Sequence, residues 1–168
     1  MLWIKTFFGI LFQTLLLGIF LYLPALTLNW PDALLFLTVH FLITILASAY
    51  LLIVKPASIE ARMNYDSKTQ PKEDRLATVL MLSAIVVGLS LAPMDIFHVN
   101  LSSSFDGYIK NIGLGLYIFG MLLVLASMNA NEFAETTVNI QEERGQKVID
   151  KGIYSLIRHP MYTGFIFF

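Results

Sequence analysis

The chain has 168 residues, of which 57% are hydrophobic and only 14% are charged, and its formal net charge is −1. Soluble domains carry about 25% charged residues, so this composition indicates a membrane protein, and the near-neutral charge gives no reason to expect a nucleic-acid partner. The absence of cysteine excludes a cysteine nucleophile, a disulfide framework and a thiolate metal site. At this length we expect a single domain.

Four apolar segments follow one another along the chain, and each is long enough to cross a membrane as a helix. They are Phe7–Leu28, Ala33–Val54, Leu76–Pro93 and Asn111–Ala130. A spanning helix needs about 20 mostly apolar residues. Open strands cannot cross lipid because their backbone groups would stay unpaired, and the alternation typical of a barrel is missing. The sequence therefore predicts an all-α fold, a polytopic membrane helix bundle.

The first two segments are separated only by the short linker Asn29-Trp30-Pro31-Asp32. Proline is favoured in the first turn of a helix, and tryptophan is favoured at the membrane interface. The linker therefore predicts a tight helical hairpin whose second helix begins near Pro31.

Three features of the apolar segments have simpler explanations than a functional site. His40 is an ionisable residue within a span, but we expect it to form a hydrogen bond to a neighbouring helix. His98 and one nearby aspartate provide too few ligands for a metal, so we interpret this region as a loop and predict no metal site. Gly113-x-Gly115 and Gly120 favour close helix packing over a nucleotide-binding loop.

The positions of lysine and arginine predict the orientation in the membrane. All eleven lie on one side of the predicted spans except Lys110. The positive-inside rule makes the crowded side cytoplasmic. We therefore expect a multi-pass protein with its N-terminus and its Arg158-His159-Pro160 segment in the cytoplasm.

Charged residues gather between the second and third apolar segments, from Lys55 to Arg75. Mixed charges are typical of a solvated interfacial loop whose basic side chains reach the lipid headgroups. A second interpretation is that Glu60, Arg62 or Asp74 packs against a later polar segment and braces it. The periodicity of the sequence does not decide between the two.

That later polar segment, Glu132–Asp150, follows the fourth apolar run, which we expect to end near Asn129–Asn131. Gly145 and Gly152 break helical continuity within and just after it. Proline is well tolerated in a first helical turn, so we expect the start of a fifth membrane helix near Pro160.

Tyr154, Arg158, His159 and Tyr162 surround this predicted helix start. Free N–H groups and a guanidinium attract carboxylates, whereas aromatic faces attract cations. A ligand with both a carboxylate and a cation, such as S-adenosylmethionine, would find complementary groups here. The same residues are also ordinary anchors at a membrane surface, and physical chemistry alone leaves both interpretations open.

The whole string resembles the signature of the integral-membrane methyltransferases, namely isoprenylcysteine carboxyl methyltransferases and the related phospholipid N-methyltransferases. The residues that carry the resemblance are Val148-Ile149-x-x-Gly152-x-Tyr154-x-x-x-Arg158-His159-Pro160-x-Tyr162-x-Gly164. Asn131-Glu132-Phe133 is similar to the lead-in of that family, and Lys55-Pro56 with Glu60-x-Arg62 is similar to its elbow between early helices. Sterol reductases of related architecture carry a similar string.

The resemblance implies a set of cofactor contacts. In the family, a glutamine ahead of the motif and four residues just before Gly-x-Tyr line S-adenosylmethionine, as do the tyrosine and the His-Pro-x-Tyr quartet. The family arginine is structural or pairs with a carboxylate. The implied cofactor-binding residues are Gln141, Gln146, Lys147, Val148, Ile149, Tyr154, Arg158, His159, Pro160, Met161 and Tyr162. The resemblance assigns no catalytic residue and no metal.

The family continues past this motif through a complete helix, a hairpin and a tail that helps to close the pocket. Here Met161–Phe168 would span only about 12 Å as a helix, whereas a membrane core is about 30 Å thick. We therefore expect either a truncated chain or a short version that completes its site in another way, for example by forming an oligomer.

The function implied by the resemblance is S-adenosylmethionine-dependent methyl transfer to a lipophilic or membrane-embedded acceptor, such as an isoprenylcysteine carboxylate, a lipid amine or a thiol. The expected partners are this lipophilic or lipidated substrate and the membrane lipids, without nucleic acid. Two alternatives remain, an NADPH-dependent enzyme of the sterol-reductase type and a non-catalytic membrane module. We expect one domain, with a four-helix membrane unit over residues 1–131 and a cytoplasmic cofactor-binding segment over residues 132–168.

Overall fold

The computed structural model describes residues 1–63, 72–101, 106–131 and 149–168. Helices make up most of these ranges, and none of the residues in them forms a strand. The helices are α1 (Leu2–Ala25), α2 (Pro31–Val54), α3 (Pro56–Met63), α4 (Lys72–Met94), α5 (Gly107–Ala130) and α6 (Pro160–Phe165). A π-helical turn, Asp95–Val99, follows α4, and a 3-10 turn, Gly152–Ser155, precedes α6. The all-α prediction is confirmed.

Four helical spans are long and apolar enough to cross a membrane: Leu2–Ala25, Pro31–Val54, Thr78–Val99 and Gly107–Ala130. They match the four apolar runs of the sequence, with boundaries that differ by up to six residues. The chain is therefore a multi-pass membrane protein. Large apolar side chains such as Phe8, Phe12 and Leu80 are mostly exposed on the bundle surface, where lipid would cover them.

The predicted hairpin between α1 and α2 is confirmed. Leu26 adopts a left-handed conformation that ends α1, and Pro31 occupies the first turn of α2. The Tyr22 hydroxyl donates a hydrogen bond to the Trp30 carbonyl oxygen at 3.1 Å, which holds the linker against α1. We call this end of the bundle the hairpin end.

The prediction that His98 lies in a loop was wrong. His98 belongs to the π-helical turn that extends α4, and its Nε2 lies 2.8 Å from the Pro24 carbonyl oxygen. The last carbonyls of a helix lack partners within that helix, so the imidazole supplies one for the end of α1. The Phe97 ring packs edge-on against Trp30 at 5.2 Å and closes the hairpin end.

At the opposite end of the bundle, α3 replaces part of the predicted solvated loop. Ile59 is buried with Leu51 and Leu52, and partly buried side chains from α1 and α5 pack against them. This segment is therefore a structural part of the bundle as well as a charged connection. The proposed bracing of residues 132–148 by Glu60, Arg62 or Asp74 concerns a segment outside the described residues. We call this end, which also holds Tyr154, the motif end.

Three polar contacts join α2 to α5, and we call them the α2–α5 seam. The Lys110 Nζ lies 2.6 Å from the Asp32 Oδ2 at the hairpin end. The His40 Nδ1 and the Tyr117 hydroxyl form a hydrogen bond in the interior, as expected for His40. The Tyr50 hydroxyl donates to the Asn129 Oδ1 at 3.2 Å near the motif end. Residue numbers increase together along the seam, so the two helices run parallel.

Tyr117→Phe is expected to destabilise the bundle by about 1 kcal/mol, because it leaves the buried Nδ1 of His40 without a partner in an apolar interior. Adding His40→Leu removes that unpaired group, so the double variant should be more stable than the sum of the two single changes predicts. Thermal unfolding in detergent micelles, followed by circular dichroism, measures the coupling. Strict additivity of the two single effects would contradict an energetically coupled pair.

Candidate active site

Those predicted site residues that the structure describes follow α5 and lie toward the motif end. Gly152 begins the 3-10 turn with a φ of 63°, a left-handed conformation that glycine adopts without strain. The Ser155 hydroxyl donates to the Gly152 carbonyl oxygen at 2.7 Å and closes this turn on itself. The chain then reaches His159, which precedes Pro160 in the first turn of α6. The predicted helix start at Pro160 is confirmed.

The crossing of α5 and α6 depends on two glycines. A Cβ atom on Gly120 would lie 2.6 Å from the Gly164 carbonyl oxygen, and one on Gly164 would lie 2.8 Å from the Gly120 carbonyl oxygen. Only two glycines allow backbones to approach this closely. The packing interpretation is therefore confirmed for Gly120. A Cβ on Gly113 or Gly115 would meet no atom within 4 Å, so neither packs closely against another helix in the described structure.

The α6 helix runs antiparallel to α5 and is packed along it by aromatic rings. The Phe168 ring lies 5.4 Å from that of Tyr117, and the Phe167 ring lies 5.4 Å from that of Phe119. Because Gly164 lies beside Gly120 and Phe168 beside Tyr117, the first turn of α6 must lie toward the motif end. This packing fixes where the His-Pro-x-Tyr string meets the bundle surface.

The predicted site residues differ in their exposure. Pro160 and Met161 are buried and anchor the first turn of α6. Ile149 and Tyr154 are half-buried, whereas Arg158, His159 and Tyr162 are exposed. The Arg158 guanidinium and the rings of His159 and Tyr162 are therefore accessible to a ligand, whereas Pro160 and Met161 pack against the bundle. Gln141, Gln146, Lys147 and Val148 lie outside the described residues.

Two aromatic groups stand together at the mouth of α6. The rings of His159 and Tyr162 stack with centroids 5.9 Å apart and an interplanar angle of 28°. Arg158, one residue before, makes no ion pair with another described residue. Its planar donors are thus available for a carboxylate or phosphate. An exposed guanidinium beside stacked aromatic rings can bind a ligand that has both an anionic and an apolar or cationic part.

The sequence interpretation missed the scaffold that holds Tyr154. The Asn131 Nδ2 donates to the Tyr154 hydroxyl at 3.5 Å, and Asn129, two residues earlier, accepts from Tyr50 in the seam. The sequence indicated that these asparagines mark the end of α5 and that Asn131 is similar to part of the family lead-in, but it indicated no side-chain contact for either. That end is confirmed, since Asn131 caps the helix. Their side-chain contacts, 23 and 79 residues apart in sequence, depend on tertiary structure and have no local signal.

Comparison with known proteins finds similarity in the C-terminal part of the chain. Residues 109–168 match the model of the phospholipid methyltransferase family. Among curated proteins, the chain is similar to protein-S-isoprenylcysteine O-methyltransferase B of Arabidopsis thaliana, with 33% identity over 60 residues. This match covers 35% of the chain and 30% of the plant protein. No solved structure matches the chain.

Both matches identify the same kind of protein, and the family match includes α5, the 3-10 turn and α6. The resemblance found in the sequence is therefore confirmed. Residues 109–168 of this chain are similar to the phospholipid and isoprenylcysteine methyltransferases of membranes.

Proposed function

We propose that the chain is an S-adenosylmethionine-dependent methyltransferase that acts on a lipophilic acceptor. The observation that carries this proposal is the position of the family motif, which supplies exposed Arg158, His159 and Tyr162 at one end of a membrane bundle. The comparisons do not favour the sterol-reductase alternative, because both name methyltransferases.

The exposed groups fit the chemistry of this methyl donor. Arg158 makes no ion pair with another described residue, and its guanidinium fork matches a carboxylate. The stacked rings of His159 and Tyr162 offer aromatic faces beside it, and aromatic faces attract cations. S-adenosylmethionine carries an amino-acid carboxylate and a sulfonium, and it would supply an activated methyl group. The side chains of this site would bind its charged end and orient it.

The role of the chain in the reaction would be positioning and the exclusion of water. Two reactants held at near-attack distance gain much of the rate advantage of an intramolecular reaction. Pro160 and Met161 are buried, so the first turn of α6 is fixed against the bundle while its exposed side chains face outward. A carboxylate acceptor needs no base, and we assign no residue as a catalytic base.

The acceptor in this proposal is a lipidated or lipid molecule that reaches the site from the bilayer. The printed name of the Arabidopsis protein indicates an isoprenylcysteine substrate for that protein. The membrane-spanning helices would hold the motif end at the bilayer, where such a lipophilic molecule is also dissolved. An isoprenylcysteine carboxylate, a lipid amine and a lipophilic thiol share this requirement.

We further propose that the motif end faces the cytoplasm. The charged residues Lys55, Lys151 and Arg158 occur at this end, whereas Lys110 lies at the hairpin end. Residues 132–168 would then form the cytoplasmic cofactor-binding segment of a single domain whose membrane unit is residues 1–131. Labelling a cysteine placed at position 147 from the outer side of intact cells would contradict this orientation.

The direct test is calorimetric binding of S-adenosylhomocysteine to the detergent-purified chain, with NADPH as the comparison. His159→Ala and Tyr162→Phe should each weaken binding by roughly three- to tenfold, since each removes about one ring or hydrogen-bond contact. The unfolding temperature should stay unchanged because both side chains are exposed. Tyr108→Phe is the matched control, since Tyr108 is 76% exposed in the first turn of α5, at the other end of that helix.

Equal affinity in His159→Ala, Tyr162→Phe and Tyr108→Phe would remove the proposed site. Binding of NADPH in preference to S-adenosylhomocysteine would favour a reductase. Failure of the chain to bind either ligand would contradict the proposed cofactor.

A further inference from the structure

Asn131 and Tyr154 meet where α5 ends and the motif begins. The backbone N–H of Asn131 donates to the Ser127 carbonyl oxygen at 2.9 Å, which completes the last turn of α5. The side-chain amide then extends to the phenol of Tyr154, with Nδ2 and the hydroxyl oxygen 3.5 Å apart. Tyr154 is half-buried in the 3-10 turn, so part of its side chain remains accessible.

The chemistry of the two groups determines which one donates. An amide nitrogen carries only hydrogens to donate, so the hydroxyl oxygen of Tyr154 must accept this bond. A phenol has one proton as well as its acceptor lone pairs. Within the described residues, that proton has no acceptor. The arrangement therefore leaves Tyr154 as a hydrogen-bond donor directed away from Asn131.

Other contacts hold the segments that carry Asn131 and Tyr154, so the fold maintains the hydrogen bond in which Asn131 donates and Tyr154 accepts. Asn129, two residues before Asn131, is tied to α2 through the Tyr50 hydroxyl. On the other side, the Ser155 hydroxyl bonds the Gly152 carbonyl oxygen and stiffens the turn that carries Tyr154. A Cβ on Gly152 would lie 3.6 Å from the Ala130 Cβ, which shows how closely the turn approaches the end of α5.

We propose that Asn131 is a positioning residue that makes the Tyr154 hydroxyl a hydrogen-bond donor to an acceptor atom of the bound methyl donor. This inference rests on the proposed function, because it assigns the ligand of Tyr154 as S-adenosylmethionine. It adds a role for Asn131, which precedes the Val148–Gly164 string, and it assigns a direction to the hydrogen bond. Asn131 itself touches Tyr154 and acts through it.

Asn131→Asp tests the direction of the bond, because it replaces the donor amide by a carboxylate of nearly the same shape. A carboxylate only accepts, so it would take the Tyr154 proton and withdraw it from the ligand. We expect the dissociation constant for S-adenosylhomocysteine to rise about fivefold, as in Tyr154→Phe, which is the factor for one lost hydrogen bond. In the Tyr154→Phe background, Asn131→Asp should have no further effect.

Asn129→Asp is the matched control. It adds the same negative charge two residues away, and its carboxylate can still accept the hydrogen bond from the Tyr50 hydroxyl. The affinity of this variant for S-adenosylhomocysteine should therefore stay within about twofold of that of the unaltered chain, because a single surface charge has only a weak effect. A loss equal to that of Asn131→Asp would show that charge alone weakens binding, and it would overturn the inference.

A ligand-free readout separates this inference from the proposed function. The tyrosine doublet in the Raman spectrum reports whether a phenol hydroxyl donates or accepts, and subtracting the Tyr154→Phe spectrum isolates Tyr154. The unaltered chain should give the signature of an acceptor and Asn131→Asp that of a donor. The donor signature in both would overturn the inference whatever binds. The expected signatures without S-adenosylhomocysteine binding would instead overturn the proposed function, and with it the ligand assigned to Tyr154.

Discussion

Gly120→Ala is expected to separate α6 from α5 and to abolish binding of S-adenosylhomocysteine at millimolar concentration. The added methyl group would lie 2.6 Å from the Gly164 carbonyl oxygen and 3.0 Å from the Phe167 Cβ. The nearest atom belongs to the backbone, so the helices must move apart as a whole. Overpacking of this kind costs about 1–3 kcal/mol, and here the cost falls on the crossing that positions the first turn of α6.

The chain contains its own controls for this experiment. Gly113→Ala and Gly115→Ala make the same change in the same helix, where the new methyl group would meet no atom within 4 Å. Alanine is a better helix former than glycine by about 1 kcal/mol, so both controls should keep or slightly raise the unfolding temperature. Gly164→Ala should reproduce the defect from the other side. Equal behaviour of Gly120→Ala and Gly113→Ala would contradict the close crossing.

Gly152→Val is expected to weaken S-adenosylhomocysteine binding by about 30-fold or more, while leaving the four spanning helices folded. Gly152 has a φ of 63°, and a left-handed conformation costs an L-residue about 1–2 kcal/mol, with a larger cost for a β-branched one. Since the 3-10 turn begins here, the strain would displace Tyr154 directly. Affinity measured by calorimetry and helicity measured by circular dichroism separate the two effects.

A graded series at this position distinguishes strain from crowding. Asparagine tolerates the left-handed region, so Gly152→Asn should bind nearly as well as glycine, Gly152→Ala should lose about tenfold, and Gly152→Val should lose most. Crowding would give a different order, because asparagine is about as large as valine. A loss in Gly152→Asn equal to that in Gly152→Val would therefore contradict the conformational explanation.

Local signals in the sequence were sufficient for the spanning helices. Length and apolarity predicted four spans, and Pro31, Pro160 and Asn131 marked helix ends correctly because each acts on its own backbone. The same approach failed at His98 and at α3. In both places a polar residue type suggested a loop, whereas the tertiary partner, the Pro24 carbonyl for one and the Leu51 cluster for the other, made the segment helical.

The candidate site was predicted in part, for a similar reason. The motif predicted that the residues after Gly152 form the site, but the sequence does not show that Met161 is buried while Tyr162 is exposed. That difference arises from the crossing at Gly120, which sets the rotation of α6. The contact between Asn131 and Tyr154 likewise depends on how the chain returns to the end of α5.

The α2–α5 seam also fixes the height of the site in the bilayer. Lipid does not select among registers of two apolar helices, because every register buries similar surface. A slip of α5 by one turn, about 5.4 Å, would bring Asp32 opposite Gly113 and His40 opposite Gly120, and neither glycine has a polar side chain. These two contacts would therefore be lost together. Because Asn131 lies two residues after Asn129 at the end of the same helix, the seam also sets the depth at which Tyr154 lies at the motif end.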